Sequence, residues 1–219
     1  MDFVYEADLI NRGYKMIAGI DEAGRGPLAG PVFAAAVVLP IDFDVIGIND
    51  SKQMSPEKRA DMYDKIVEGA VSYFVSHLSA SVIDKIGILV ATKRCMQTAV
   101  KNLHVKPNFL LIDGLNLNIP EISQMQIVKG DTKIASIAAA SILAKVDRDR
   151  YMCKLHSKYP QYNFRSHKGY GTKEHLDAID KYGPCKEHRM TFAPVKGSRD
   201  EGSGIRDQGQ GIRDQRTGG

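Results

Sequence analysis
The chain has 219 residues, 43% hydrophobic and 26% charged, with 30 Lys/Arg against 26 Asp/Glu for a net charge of +4. That balance excludes a disordered chain, and the length suits one domain with a tail or a small subdomain better than two full domains. The longest near-apolar stretches, 33–40 and 134–144, fall short of the roughly 20 residues that a membrane span requires, so no membrane partner is expected.

Acids at Asp2, Glu6 and Asp8 stand where a secretory signal would carry positive charge and then an apolar run, which predicts a cytoplasmic protein. In chain order, the short apolar or β-branched runs 16–20, 32–39, 71–78, 109–112 and 124–128 are bounded by Gly, Pro, Asn or Asp and read as five strands. Helical patterns cover 56–68, with Ser55 as N-cap and Pro56 at the first helical position, then 88–103, 134–158 and 173–182, the last closed by Gly183-Pro184. Only one short helix falls among the first three strands, and a long one precedes the last two. This order predicts an α/β fold with a mixed sheet, antiparallel at one side and parallel at the other, with helices packed on it. Residues 198–219 repeat GIRDQ twice with almost no apolar content and read as a disordered tail, leaving 1–197 as the folded domain.

Cys95, Cys153 and Cys185 are widely spaced without a C-x-x-C pair and fit reduced thiols. Residues 145–189 hold eleven Lys/Arg against six Asp/Glu, a modest footprint for a polyanion that an ordinary solvated helical surface would explain as well.

The most informative segment is GIDEAGRGPLAGP, 19–31, in which a strand delivers Asp21 and Glu22 into a glycine-rich loop. Neighbouring strand residues point to opposite faces, so both acids reach one site only if the chain turns or bulges, or if one acts through water; a solvated turn is the plain alternative. Gly24, Gly26 and Gly30 lead into another strand, which excludes a dinucleotide fingerprint, and no Gly-Lys-Ser/Thr follows to make a P-loop. What remains is backbone able to approach a phosphate or sugar, with Arg25 offering a fork of donors. Asp113 ends a second apolar strand, FLLID, ahead of Gly114, and would project beside Asp21 if the two strands are neighbours, unless it merely forms an Asp-Gly turn. Asp131 lies just ahead of a long helix rich in small residues and on its own reads as a helix cap, while the small residues let that helix lie close to the sheet. Four such carboxylates suit a pair of hard divalent cations that clamp the attacking and leaving oxygens of a phosphoryl displacement. Without the cations the acids repel one another, so some pKa values should rise and metal binding should stabilise the protein.

Together these segments resemble the ribonuclease HII family, the type 2 ribonucleases H, over most of residues 15–195. GIDEAGRGPLAGP is similar to its first signature, NDSKQMSPE (49–57) to its DSK loop, LLIDG (110–114) to its third signature, KGDTK with AAASILAKVDRDR (129–150) to its fourth and SHKGYGT (166–172) to its tyrosine loop. Gln53 and Met54 depart from the lysine and leucine common in the DSK loop, and the tail has no counterpart. The resemblance implies a ribonuclease H-like fold with a C-terminal helical extension. It implies catalytic metal ligands at Asp21, Glu22, Asp113 and Asp131 for two Mg²⁺ or Mn²⁺ ions, with Asp147 and Asp149 as competitors for the fourth place that are expected instead to pair with Arg148 or Arg150. Substrate contacts would come from Gly24, Arg25 and Gly26 around the ribonucleotide and from Tyr170 on its sugar, with Lys52, Lys145 and Lys168 on phosphates. The expected activity is metal-dependent hydrolysis of RNA in RNA/DNA hybrids, and cutting 5′ to ribonucleotides embedded in duplex DNA to leave 5′-phosphate and 3′-hydroxyl ends, by a monomer without an obligate protein partner.

Rival readings are another ribonuclease H-like carboxylate nuclease, a non-catalytic hybrid binder, a metal-free ribonuclease built on His156, His167, His175 and His188, and a zinc module on Cys153-x-x-His156 and Cys185-x-x-His188.

Overall fold
The computed structural model describes residues 3–48 and 54–196. Five strands, β1 (Ile17–Ala23), β2 (Val32–Val38), β3 (Ser72–Leu78), β4 (Phe109–Asp113) and β5 (Ser123–Ile127), form one sheet in the order β3-β2-β1-β4-β5. β1, β2 and β3 pair antiparallel, whereas β4 runs parallel to β1 and β5 parallel to β4. This is the α/β mixed sheet expected from the element order. β1 runs three residues further than its apolar run suggests, through both acids to Ala23, because β2 continues to pair with it there.

The helices are α1 (Val4–Asn11), α2 (Pro56–Gly69), α3 (Ala80–Ile86), α4 (Ile88–Lys101), α5 (Ala135–Lys158), α6 (Phe164–His167) and α7 (Lys173–Tyr182). The Ser55 cap is in place, its Oγ accepting from the Lys58 N–H at 3.3 Å, with Pro56 following. Periodicity does not disclose α1, α3 and α6. The first buries only Glu6 and Leu9, and the other two are seven and four residues long, too short for a repeating apolar stripe. Gly87, at φ +78°, is the joint that breaks what would otherwise be one helix into α3 and α4.

The central strands β2, β1 and β4 are buried on both faces, whereas the edge strand β5 is largely exposed. Ala18, Ile20, Leu110 and Ile112 point towards α4, which contributes Ala91, Cys95, Met96 and Ala99 to that layer. The alternate residues of β1, β2 and β4 face α5 and α2. A fully buried Ile or Leu contributes about 1.5–3 kcal/mol, so these two layers hold the sheet edge rigidly. The small residues of α5 do what the sequence suggested: the helix lies so close to β1 that a Cβ on Gly19 would sit 2.1 Å from the Ser136 carbonyl carbon. Asp131 does not cap this helix, since it belongs to a separate 3-10 turn, Gly130–Thr132, and Ile134 holds the N-cap position. The capping group is Glu6 of α1, whose Oε1 accepts from the Ser136 N–H at 3.1 Å and the Ser136 hydroxyl at 2.7 Å.

Candidate active site
β1 and β4 end side by side. Their register pairs Ile20 with Ile112, so the next residue on each, Asp21 and Asp113, emerges at the same level on the α5 side. Asp21 is 4% exposed and accepts from the Glu22 N–H at 2.7 Å, with a further hydrogen bond to Ser141 of α5. Asp113 accepts from the Gly130 N–H at 2.7 Å, which ties β4 to the turn carrying Asp131, itself 3% exposed. Glu22 projects to the other side, as strand alternation demands, and makes an ion pair with Arg25 at 3.3 Å.

No bulge is needed to bring Asp21 and Glu22 to one site. The β1–β2 register runs without interruption from Ala18 to Ala23, and a cleft of about 570 Å³ wraps the strand end, so that both faces open into it. Asp21, Glu22 and Asp113 line that cleft together with the 24–26 loop, Lys145 and Tyr170. Asp131, on the turn that Asp113 holds through Gly130, is buried and does not line it. Among the described residues no three His, Cys, Asp or Glu side chains are gathered as a ready-made metal site.

The donor set nevertheless fits a hard cation. Burial raises the Asp21 carboxyl well above its ordinary range, and the neighbouring Glu22 and Asp113 carboxylates raise it further. Oxygen donors whose charges oppose one another in a low-dielectric pocket are what a divalent ion stabilises.

A ribonuclease HII family model matches residues 18–195. The chain belongs to the ribonuclease HII family. It is 50% identical over 190 residues to ribonuclease HII of Caldicellulosiruptor bescii, covering 87% of this chain and 92% of that one, and 55% identical over 192 residues to ribonuclease HII of Bacillus cereus strain Q1, covering 88% and 74%. In fold it matches the crystal structure of ribonuclease H2 from Pyrococcus horikoshii OT3, with a TM-score of 0.73 and 26% identity over 85% of this chain and 98% of that one. As a ribonuclease HII the protein is a nuclease that cleaves RNA in RNA/DNA hybrids, and the family depends on divalent metal.

The remaining residues singled out from the sequence divide into three groups. Tyr170, 46% exposed, stands across from Gly26, whose added Cβ would lie 3.7 Å from its ring, so loop and ring form one wall of the ribonuclease cleft. Lys145 lines the cleft with its ammonium 2.8 Å from Asp149, and Asp149 also faces Arg59 at 3.5 Å. Asp149 thus pairs with Lys145 and Arg59 in place of the expected Arg148 or Arg150, because Arg148 turns inward, while Asp147 does pair with Arg150, at 3.8 Å. The Lys168 ammonium folds back onto the Arg165 carbonyl and its side chain lies outside the cleft lining. Lys52 and the GIRDQ tail lie outside the described residues.

The histidines belong elsewhere. His167, His175 and His188 are buried together behind the Tyr170 loop, with His175 Nε2 3.1 Å from His188 Nε2, and none of them lines the cleft. Burial pushes His175 and His188 down to about 4, so both are neutral at pH 7. This removes the paired-histidine mechanism. The half-site spacings of Cys153, His156, Cys185 and His188 do not converge on a zinc site among the described residues, where all three cysteines are free. No helix among the described residues is long and apolar enough to cross a membrane.

Sequence reasoning gave no role to Ser141, which bonds Asp21, or to the buried Arg189, and it expected Arg148 to pair with an acid where it bonds buried backbone carbonyls. A serine among the alanines of α5 and arginines in a basic segment give no signal of their own; only their burial, 4%, 1% and 0% exposed, marks them.

Proposed function
We propose that Asp21, Glu22, Asp113 and Asp131 hold two Mg²⁺ or Mn²⁺ ions, and that the enzyme cuts the phosphodiester 5′ to a ribonucleotide, in hybrids and in DNA duplexes with embedded ribonucleotides. The observation that carries this reading is the convergence of Asp21, Glu22 and Asp113 at one cleft whose opposite wall is the 24–26 loop and Tyr170. When bound, the ions supply Lewis-acid polarisation of the phosphoryl group and a lowered pKa for the attacking water. The chain's own residues do the positioning. Asp21, held by the Glu22 N–H and Ser141, and Asp113, held by the Gly130 N–H, present fixed oxygens from two rigid strands. Glycines at 24 and 26 let backbone reach the sugar edge that carries the 2′-hydroxyl, and the Tyr170 ring packs on that sugar. Lys145 contacts phosphate without reading bases, and Lys52 and Lys168 share that role. The protein works as a monomer.

The test is a duplex containing one ribonucleotide, incubated with the protein with and without Mn²⁺. The expected products are a 5′-phosphate and a 3′-hydroxyl, formed only with the metal. Cyclic-phosphate ends, or cutting that survives EDTA, would overturn the proposal.

A further inference from the structure
Two arginines are wholly inside the molecule, Arg148 on α5 at 1% exposure and Arg189 at 0%. Among the described residues neither makes an ion pair with a carboxylate, although a buried charge ordinarily requires one. Their donors go to backbone carbonyls instead. Arg189 donates from Nη2 to the Gly24 carbonyl at 2.6 Å, from Nη1 to that of Arg25 at 2.7 Å and from Nε to that of Gly30 at 3.0 Å. Arg148 donates from Nε to Pro31 at 3.2 Å and from Nη2 to Ala29 at 3.3 Å and Lys168 at 3.0 Å. Gly24, at φ +93°, lies directly against the Arg148 side chain, where an added Cβ would stand 2.0 Å from Nε.

The consequence follows from the planarity of the trans peptide, in which N–H and C=O point in opposite directions. Turning the carbonyls of Gly24 and Arg25 inward to Arg189 turns the N–H groups of Arg25 and Gly26 away from it, and both residues line the cleft. Among the described residues neither N–H has a protein acceptor. Both lie near the positive end of a polarised peptide whose oxygen rests on a cation, which strengthens them as donors.

We infer that Arg189, with Arg148 packed against Gly24 beside it, is the positioning residue that gives this enzyme its preference for a ribonucleotide: its guanidinium fixes the 24–26 peptides so that two consecutive N–H groups face the ribose. The inference rests on the substrate reading above. It makes ribose discrimination a property of a residue that never touches the nucleic acid. Phosphate binding is left to the surface lysines.

The test measures binding of a duplex with one ribonucleotide and of the all-DNA duplex of the same sequence, with Ca²⁺ in place of Mn²⁺, for the unaltered protein, Arg189→Met and Arg189→Lys. Arg189→Met should cut the preference for the ribonucleotide duplex at least tenfold while changing affinity for the DNA duplex less than twofold. Arg189→Lys, which restores the charge and one or two of the bonds, should recover part of the preference. A folded Arg189→Met that keeps the full preference overturns the inference and leaves the substrate reading standing, whereas an unaltered protein without any preference overturns both. The amide signals of Arg25 and Gly26 in the unaltered protein decide the question if Arg189→Met does not fold. They should shift with the ribonucleotide duplex and not with DNA, and equal shifts with both sink the inference.

Discussion
Two regions of this protein crowd ionisable side chains together, with opposite results. At the ends of β1 and β4, Asp21, Glu22 and Asp113 face one cleft, and burial and mutual repulsion push Asp21 upwards. Behind the Tyr170 loop, His167, His175 and His188 stack closely, with the rings of His167 and His175 4.4 Å apart, and burial pushes His175 and His188 down. The histidines escape the conflict by staying neutral, and fixed hydrogen bonds absorb their polarity. Cys185 N–H donates to His188 Nδ1, so His188 Nε2 carries the proton it donates to His175, whose Nδ1–H goes to the Tyr170 carbonyl. The carboxylates relieve theirs only by holding a proton on Asp21 to higher pH, or by sharing a cation as proposed above. One cluster is therefore satisfied within the fold and acts as scaffold, while the other keeps a conflict that the proposed metal ions would resolve.

The largest effect that would break this comparison is on the acid side. Asp113→Asn keeps the shape but removes the charge of a proposed metal ligand, and cleavage should fall on the order of a thousandfold, equivalent to several kcal/mol of transition-state stabilisation. Salt-sensitive binding of the hybrid should persist, as filter binding at two salt concentrations would reveal. A variant that cuts at the normal rate would remove Asp113 from the site.

On the histidine side the prediction is thermal. His175 and His188 hold fewer protons folded, at about 4, than unfolded, at the ordinary 6.5, so the stability they contribute is present above 6.5 and is lost as pH falls towards 4. Tm should drop on the order of 5 °C across that window, and replacing His188 by Gln should flatten the slope. Cleavage between pH 7 and 8 should not follow these groups.

The same logic with the sign reversed applies to Asp21. Its folded pKa is raised, so the apo protein loses stability as pH climbs through that value, and Asp21→Asn should flatten that loss in melts taken across the pH range. Millimolar Mn²⁺ should raise the Tm of the unaltered protein and leave this variant nearly unmoved, as a thermal melt with and without the ion would check. The smallest effect belongs to the loop between the two regions, where the Thr172 Oγ1 caps α7 by accepting from the His175 N–H at 3.3 Å. Thr172→Ala should cost about 0.5–1 kcal/mol in denaturant unfolding, with little change in catalysis.

Much of this was legible in the chain alone. Apolar runs located the central strands β1, β2 and β4, because burial on both faces is written into consecutive residues, while the turn residues bounding them marked the less buried edge strands β3 and β5. Acids closing two such runs, Asp21 and Asp113, flagged the cleft for the same reason, since a buried strand tolerates a carboxylate only where it emerges. The ordered motifs supplied the family. Tertiary structure decided what depends on residues far apart in sequence. Glu6 caps a helix 130 residues away. Glu22 reaches the site of Asp21 by the way the cleft wraps the strand end, without a bulge. Arg189 lies 165 residues from the glycine carbonyl it holds. Periodicity reports the face a residue turns to its own element, so it carries no record of which distant backbone a buried guanidinium will meet.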